Sequence, residues 1–139
     1  MVSKFKIDSD SPQPASAIAI ATDVPIYRLC WLINEVIGWN LTEGEMLQTQ
    51  KNNIAQTFFV FDWTDDMSGT KYSIIQNKSE NGPFESSKKQ FDYWLRIEGN
   101  ADAELIAQAL KMIKQIRFVQ IADPSTIKDD PLFRQNKRH

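Results

Sequence analysis

The chain has 139 residues, of which 42% are hydrophobic and 24% charged, and this composition excludes a disordered chain, a collagen-like repeat and a disulfide scaffold. The formal net charge of −2 disfavours nucleic-acid binding, which draws most of its affinity from basic side chains that neutralise phosphates. One cysteine, Cys30, excludes an internal disulfide, and one histidine, His139, excludes a histidine-rich metal site and a buried catalytic triad.

The sequence contains no apolar run of the length, about 20 residues, that a membrane span needs. Residues 1–8 lack the apolar stretch of a signal peptide. We therefore expect a cytoplasmic protein that binds neither a membrane nor a nucleic acid.

The first third of the chain predicts an arm, a strand and a helix. Residues 1–15 are an N-terminal arm or edge strand, and residues 16–21 form a short apolar strand. Pro25 suits the first turn of a helix and Gly38 supplies a left-handed stop, so we predict an amphipathic helix over residues 25–37. Its expected buried stripe comprises Ile26, Leu29, Cys30, Ile33, Val36 and Ile37.

Strand signals dominate the middle of the chain. Residues 39–53 hold turn signals and one short strand signal, whereas residues 54–63 are apolar on both faces, which is typical of a strand inside a sheet. The turn at residues 65–69 joins that strand to a partner over residues 72–75, which predicts a hairpin. Residues 77–89 form a polar loop.

Residues 91–98 alternate most cleanly. Phe91, Tyr93, Leu95 and Ile97 are expected to face the core, and Asp92, Trp94, Arg96 and Glu98 to face outward. A second helix follows Gly99-Asn100. Its expected buried stripe comprises Leu105, Ile106, Ala109, Leu110, Ile113 and Ile116.

A last strand over residues 118–122 is expected to end at Asp123-Pro124, leaving residues 124–139 as a polar tail. We therefore predict one α+β domain over residues 16–123. Its sheet is mainly antiparallel, with about five strands and two helices on one face. The arrangement expected is ferredoxin-like or a related split β-α-β fold.

Four segments resemble one bacterial family: residues 27–34, 77–82, 91–100 and 114–116. Together they are similar to the small uncharacterised family named for the motif Ile-Pro-Glu-x-x-x-Val-Asp-Tyr, over roughly residues 16–133. Asp92 and Tyr93 match the end of that motif and Phe91 stands for its valine, but Glu85-Ser86-Ser87 stands where Ile-Pro-Glu is expected. The resemblance implies a domain without an assigned activity, and any role of the family's glutamate would be missing here.

Two groups of residues are candidates for a ligand or partner surface. The first lies on the other side of the first helix, which Glu35 shares, and comprises Tyr27, Arg28, Trp31 and Asn34. Exposed aromatic residues beside arginine are typical of partner surfaces and small-ligand pockets. The alternative is that this helix is buried on two sides, between the sheet and residues 39–53.

The second group lies on the strand over residues 91–98 and comprises Asp92, Tyr93, Trp94 and Arg96. A bare Trp94 beside Phe58 and Val60 would form an apolar patch larger than monomers usually show. Either a dimer through this sheet face covers the patch, or the same chain covers it with another strand or with Leu132 and Phe133.

No catalytic residue, metal site or cofactor is predicted. Asp62, Asp65 and Asp66 cluster at a turn, but a cation site needs several convergent oxygens, so a solvated turn is favoured. Cys30 lies on the apolar stripe of its helix, which favours a buried structural thiol over a nucleophile.

The leading functional hypothesis is a non-catalytic interaction module that self-associates as a homo-oligomer, because aromatic residues make up 11% of the chain and no catalytic constellation is visible. One alternative is a small-ligand-binding or regulatory domain with a pocket near Tyr27, Trp31 and Tyr93. A second alternative is a carboxylate- or metal-dependent enzyme, for which no pair of carboxylates can be placed at catalytic spacing.

Overall fold

The computed structural model describes residues 15–51, 53–78, 90–99 and 103–127. The elements in chain order are β1 (Ala15–Thr22), α1 (Ile26–Ile37), β2 (Thr42–Glu43), β3 (Leu47–Lys51), β4 (Ile54–Phe58), β5 (Val60–Asp65), β6 (Thr70–Gln76), β7 (Tyr93–Glu98), α2 (Ala103–Lys114) and β8 (Val119–Ile127). The predicted arm before Ala15, most of the loop after Asn77, and the tail beyond Ile127 lie outside the described residues.

The fold is α+β, built on one antiparallel sheet with the strand order β2-β5-β6-β7-β1-β8. All of its strand pairs in the described residues are antiparallel, as predicted. The sheet has six strands instead of about five, because the two-residue strand β2 adds to the edge of β5. Strands β3 and β4 form a separate hairpin sheet.

Both helices pack on one face of the six-stranded sheet. Leu29, Cys30 and Ile33 of α1 belong to the same buried cluster as Ala109 and Ile113 of α2. The sheet side chains that meet them are Ile18, Ile20, Tyr72, Ile74, Tyr93, Leu95, Ile97 and Ala122. The apolar stripes predicted at helical spacing therefore form one core between helices and sheet, although Val36 of α1 is exposed.

The opposite face of the sheet has its own core, which the β3–β4 hairpin helps to form. Leu47 of β3 and Phe58 of β4 pack there with Trp94 of β7 and Ile75 of β6. The remaining members of the cluster are Ala17, Ala19, Val60 and Phe91. The prediction that Phe91 shares a face with Tyr93 was therefore wrong, because β7 begins at Tyr93 and Phe91 lies before the strand.

The prediction of one inner strand over residues 54–63 was also wrong. The strand conformation is interrupted at Phe59. Strand β4 pairs with β3, whereas β5 pairs with β2 and β6. Phe58 and Val60 flank this break, and both belong to the cluster on the hairpin side of the sheet. A continuous strand would also place residues two apart on one face, so the apolar pattern alone did not reveal the break.

The expected end of the last strand at Asp123-Pro124 was wrong as well, because β8 continues to Ile127. Asp92 lies directly before β7. Its amide donates to the Ile20 carbonyl and its carboxylate accepts from the Thr22 amide, so Ile20 and Thr22 of β1 direct their backbone groups toward β7. Alternate residues of a strand point the same way, so Ile18 does too. Pro124 lies opposite Ile18 and therefore directs its nitrogen away from β1. A proline is tolerated on the outer edge of a sheet, where its nitrogen needs no strand partner.

Helix α1 ends where the sequence predicts. Gly38 adopts φ 87° and its amide donates to the carbonyl of Asn34, which is the left-handed stop expected after Ile37. At its N-terminal end the N-cap position is Pro25, which makes no side-chain capping hydrogen bond. In the part of the chain that is described, neither helix has the length and apolar character needed to cross a membrane.

Candidate functional site

The eight residues predicted for a ligand or partner surface do not form one site. Tyr27, Arg28 and Trp31 lie exposed on α1. The other five are buried or half-buried and bond within the chain; they are Asn34, Asp92, Tyr93, Trp94 and Arg96.

Trp94, expected to face outward on this strand, is fully buried within the chain. Its ring packs with Leu47 and Phe58 of the hairpin, and its indole Nε1 donates to Asn77 Oδ1 over 2.9 Å. The small side chain of Ala19 lies opposite it on β1. The sequence analysis left open whether a second copy or the same chain covers Trp94. In the structure the β3–β4 hairpin of the same chain covers it.

Arg96 is also buried on this face, with only 3% of its surface exposed. Its guanidinium donates to the carboxylate of Glu98 on the same strand. A buried guanidinium engaged inside the chain leaves little surface for a ligand or partner at Arg96.

The side chains of Asn34 and Asp92 form hydrogen bonds that hold neighbouring loops in place. The Asn34 side chain accepts from the Leu41 amide (2.9 Å) and donates to the Leu41 carbonyl (3.1 Å), which fixes the link after α1. The Asp92 carboxylate accepts from the Thr22 amide (2.9 Å) and from Lys78 Nζ (2.8 Å). Both side chains therefore organise loops at element ends.

Tyr93 lies beneath α1 in the helix-side core, with 7% of its surface exposed. Its hydroxyl donates to the Val24 carbonyl over 2.7 Å. Tyr27 and Trp31, in contrast, are exposed, so these three aromatic residues do not line a common cavity. Burial, then the charge of Asp92 and the Cys30 thiol, raises the pKa of Tyr93 to about 12.

The raised pKa of Tyr93 predicts loss of stability in alkali. An unfolded tyrosine ionises near pH 10, whereas folded Tyr93 stays neutral to about pH 12, so the unfolded chain releases its proton first and the free energy of unfolding falls between these values. We expect Tyr93→Phe to cost about 0.5–1.5 kcal/mol at pH 8, through the lost hydrogen bond. That cost should shrink toward pH 11.

Urea unfolding of both proteins at several pH values measures this difference. Tyr72, whose pKa is raised by burial and by Asp65, leaves part of the alkaline loss in place in the variant. A cost of Tyr93→Phe that stays constant from pH 8 to pH 11 would contradict the prediction.

Among the described residues, the contacts of Cys30 and of Asp65 at the β5–β6 turn support the fold and form no reactive or metal-binding site. Cys30 is buried, and this burial raises the pKa of its thiol, which keeps it protonated. The Asp65 carboxylate accepts from the Met67 amide (3.0 Å) and the Ser68 hydroxyl (3.1 Å), so it holds the turn. Across the described ranges, histidine, cysteine and acidic side chains do not gather in any group of three that suits a metal ion.

The exposed side of α1 is the largest aromatic surface among the predicted residues. Tyr27 is 67% and Trp31 60% exposed, and they lie four residues apart, one above the other on the helix. Arg28 lies beside them with its guanidinium 5.2 Å from the centre of the Phe118 ring. Arg117 approaches the same ring at 5.6 Å.

Phe118 and Arg117 were not predicted as part of a surface. Sequence periodicity placed Phe118 in the last strand, but β8 begins one residue later and Phe118 is 39% exposed. Its contact with Arg28 joins residues 90 positions apart, and a contact of that range leaves no trace in local periodicity.

A shallow groove of about 510 Å³ runs along β8 between Lys114 and residues 119–123. Ile121, which is 55% exposed, lines it. None of the residues predicted for a site lines this groove.

The fold and the exposed helix define a small α+β domain with an aromatic surface on α1 and a sheet that is covered on the other side by its own hairpin. The chain matches no protein-family model, no curated protein and no solved structure. Any functional assignment therefore rests on the geometry of the chain itself.

Proposed function

We propose that this protein is a non-catalytic interaction module that self-associates through the outer face of α1, defined here as Tyr27, Arg28, Trp31 and Glu35. The observation that carries the proposal is the exposure of two large aromatic side chains, Tyr27 and Trp31, one helical turn apart. Trp94 and Tyr93, the aromatic residues predicted on β7, are covered within the chain, whereas Tyr27 and Trp31 are the two most exposed aromatic side chains among the described residues.

Exposed aromatic residues favour association for a definite reason. Tyrosine and tryptophan bury a large apolar area with few rotatable bonds, and with arginine they dominate the energetic centres of protein interfaces. Tyr27, Arg28 and Trp31 combine all three residue types on one helix face. A rigid helix also presents them without the entropy cost of ordering a loop.

Truncation of the central tryptophan tests the proposal. We expect the wild-type protein to show a concentration-dependent dimer, and Trp31→Ala to raise its dissociation constant by about tenfold or more, as for a central interface residue. Analytical ultracentrifugation from low to high micromolar concentration measures both.

Phe59→Ala is the matched control, because Phe59 is an aromatic residue 46% exposed on another part of the surface. Its dissociation constant should equal that of the wild type. A wild-type protein that stays monomeric over the whole range would overturn the proposal, and so would a dimer that Trp31→Ala leaves unchanged.

We also infer a split β-α-β arrangement of the ferredoxin-like type. The strand order β8-β1-β7-β6 and the positions of α1 after β1 and α2 after β7 support it. Strands β5 and β2 would then be additions beside β6. An experimental structure with β1 at an edge of the sheet would contradict this.

Membership of the bacterial Ile-Pro-Glu-x-x-x-Val-Asp-Tyr family, with a cytoplasmic location, is a further proposal that rests on the four segments quoted above. Asp92 and Tyr93, which match the end of the motif, bond to the Thr22 amide and the Val24 carbonyl. Both residues thus hold the segment between β1 and α1, which gives a structural reason for the Asp-Tyr pair at positions 92 and 93. Family members in which neither residue is retained would contradict the proposal.

A further inference from the structure

The outer face of α1 carries two opposite charges in a self-complementary arrangement. Arg28 and Glu35 are both exposed and lie seven residues apart, which is two turns and about 10 Å along the helix. Residues seven apart share one stripe of a helix, so both charges point in nearly the same direction. Trp31 lies between them, within half a residue of their midpoint.

Neither charge is neutralised within the described part of the chain. The ion pairs found there join Lys78 to Asp92 and Arg96 to Glu98. Arg28 instead lies over the ring of Phe118, with its guanidinium 5.2 Å from the ring centre. The α1 face therefore presents a cation near its beginning, an anion near its end and an aromatic centre.

We propose that the partner of this face is a second copy of the chain, with the two α1 helices antiparallel about a two-fold axis at Trp31. This rests on the proposed function and gives it a geometry. In a two-fold interface residue i contacts residue j of the partner and residue j contacts residue i. An antiparallel pair thus places Arg28 against the partner's Glu35 twice, whereas a parallel pair places like charges together.

Charge reversal distinguishes these arrangements. Arg28→Glu and Glu35→Arg each place two like-charged pairs across the antiparallel interface, so each single variant should raise the dissociation constant of the dimer by about tenfold. The double variant Arg28→Glu/Glu35→Arg restores both opposite pairs and should return to within about threefold of the wild type. In a parallel pair the single variants would not weaken the dimer.

Mixing the two single variants tests whether the charges of α1 meet across the interface at all, since opposite charges would pair in the mixed dimer in either arrangement. The mixed dimer carries two opposite-charge pairs, so it should form in preference to either variant alone, and this preference should fade as salt is added. Lys111→Glu, an exposed charge reversal on α2, is the control and should leave the dissociation constant unchanged. Circular dichroism of each variant confirms that it folds.

The outcomes separate the two proposals. A wild-type dimer that loses affinity in the single variants and regains it in the double variant supports the antiparallel pair. A wild-type dimer that both single variants leave unchanged overturns the antiparallel pair, while self-association stands. A monomeric wild type overturns self-association and this geometry together.

Discussion

Trp94→Ala should lower the free energy of unfolding by about 3–5 kcal/mol, which is the range measured for truncating a fully buried aromatic side chain. Trp94 has no exposed surface and lies between the sheet and the hairpin residues Leu47 and Phe58. Its removal leaves a cavity that the paired strands β6 and β1 on either side of β7 are too constrained to fill. It also leaves the Asn77 Oδ1 atom without the indole donor.

Two further variants separate volume from hydrogen bonding. Trp94→Phe keeps most of the ring but removes the donor to Asn77, so it should cost less than Trp94→Ala. Trp31→Ala, at an exposed tryptophan, should change the unfolding free energy of the monomer by no more than about 0.5 kcal/mol. Urea unfolding at low protein concentration measures all three.

Equal losses for Trp94→Ala and Trp31→Ala would contradict the burial of Trp94. They would also reopen the sheet face as a surface for a partner. The comparison therefore tests the stability of the domain and the position of its exposed aromatic surface in one experiment.

Gly99→Ala should produce the second large loss of stability. Gly99 follows β7 with φ 108°, a conformation that costs a residue with a Cβ roughly 1–2 kcal/mol. A Cβ at this position would also lie 2.9 Å from the carbonyl oxygen of Gly69 in the β5–β6 turn. Backbone atoms cannot rotate away as a side chain can, so the overpacking adds about 1–3 kcal/mol.

Gly38→Ala is the matched control, because Gly38 has φ 87° but open space where the Cβ would lie. It should lose only the conformational part of the energy. The difference between the two variants, measured by thermal or urea unfolding, isolates the contact between Gly99 and Gly69. Equal losses would show that this contact does not constrain the domain.

Two features of the fold limit where a partner can bind. The hairpin covers part of the sheet face opposite the helices, and Pro124 removes a hydrogen-bond donor from the outer edge of β8, which is a common protection against strand addition. Within residues 15–51, 53–78, 90–99 and 103–127, nothing covers Tyr27 and Trp31 on the outer face of α1 in this way. The proposed association through this helix face is therefore consistent with the protection of the sheet face and of the β8 edge.

The sequence by itself determined the elements whose signals are local. The helical spacing of Leu29, Cys30 and Ile33, with Gly38 after them, defined the buried side and the end of α1. The alternation of Tyr93, Leu95 and Ile97 defined the helix-facing side of β7. Local signals suffice there because one periodic stripe meets one core.

Only the tertiary structure decided what meets the other side of each element. Alternation showed that Trp94 points away from Tyr93, but a period of two does not reveal whether solvent, a second copy or the β3–β4 hairpin lies beyond it. The break at Phe59 likewise depends on which strands β4 and β5 find as partners. Covering a sheet and choosing strand partners are decided by contacts between distant parts of the chain, and such contacts leave no periodic signal in the residues that make them.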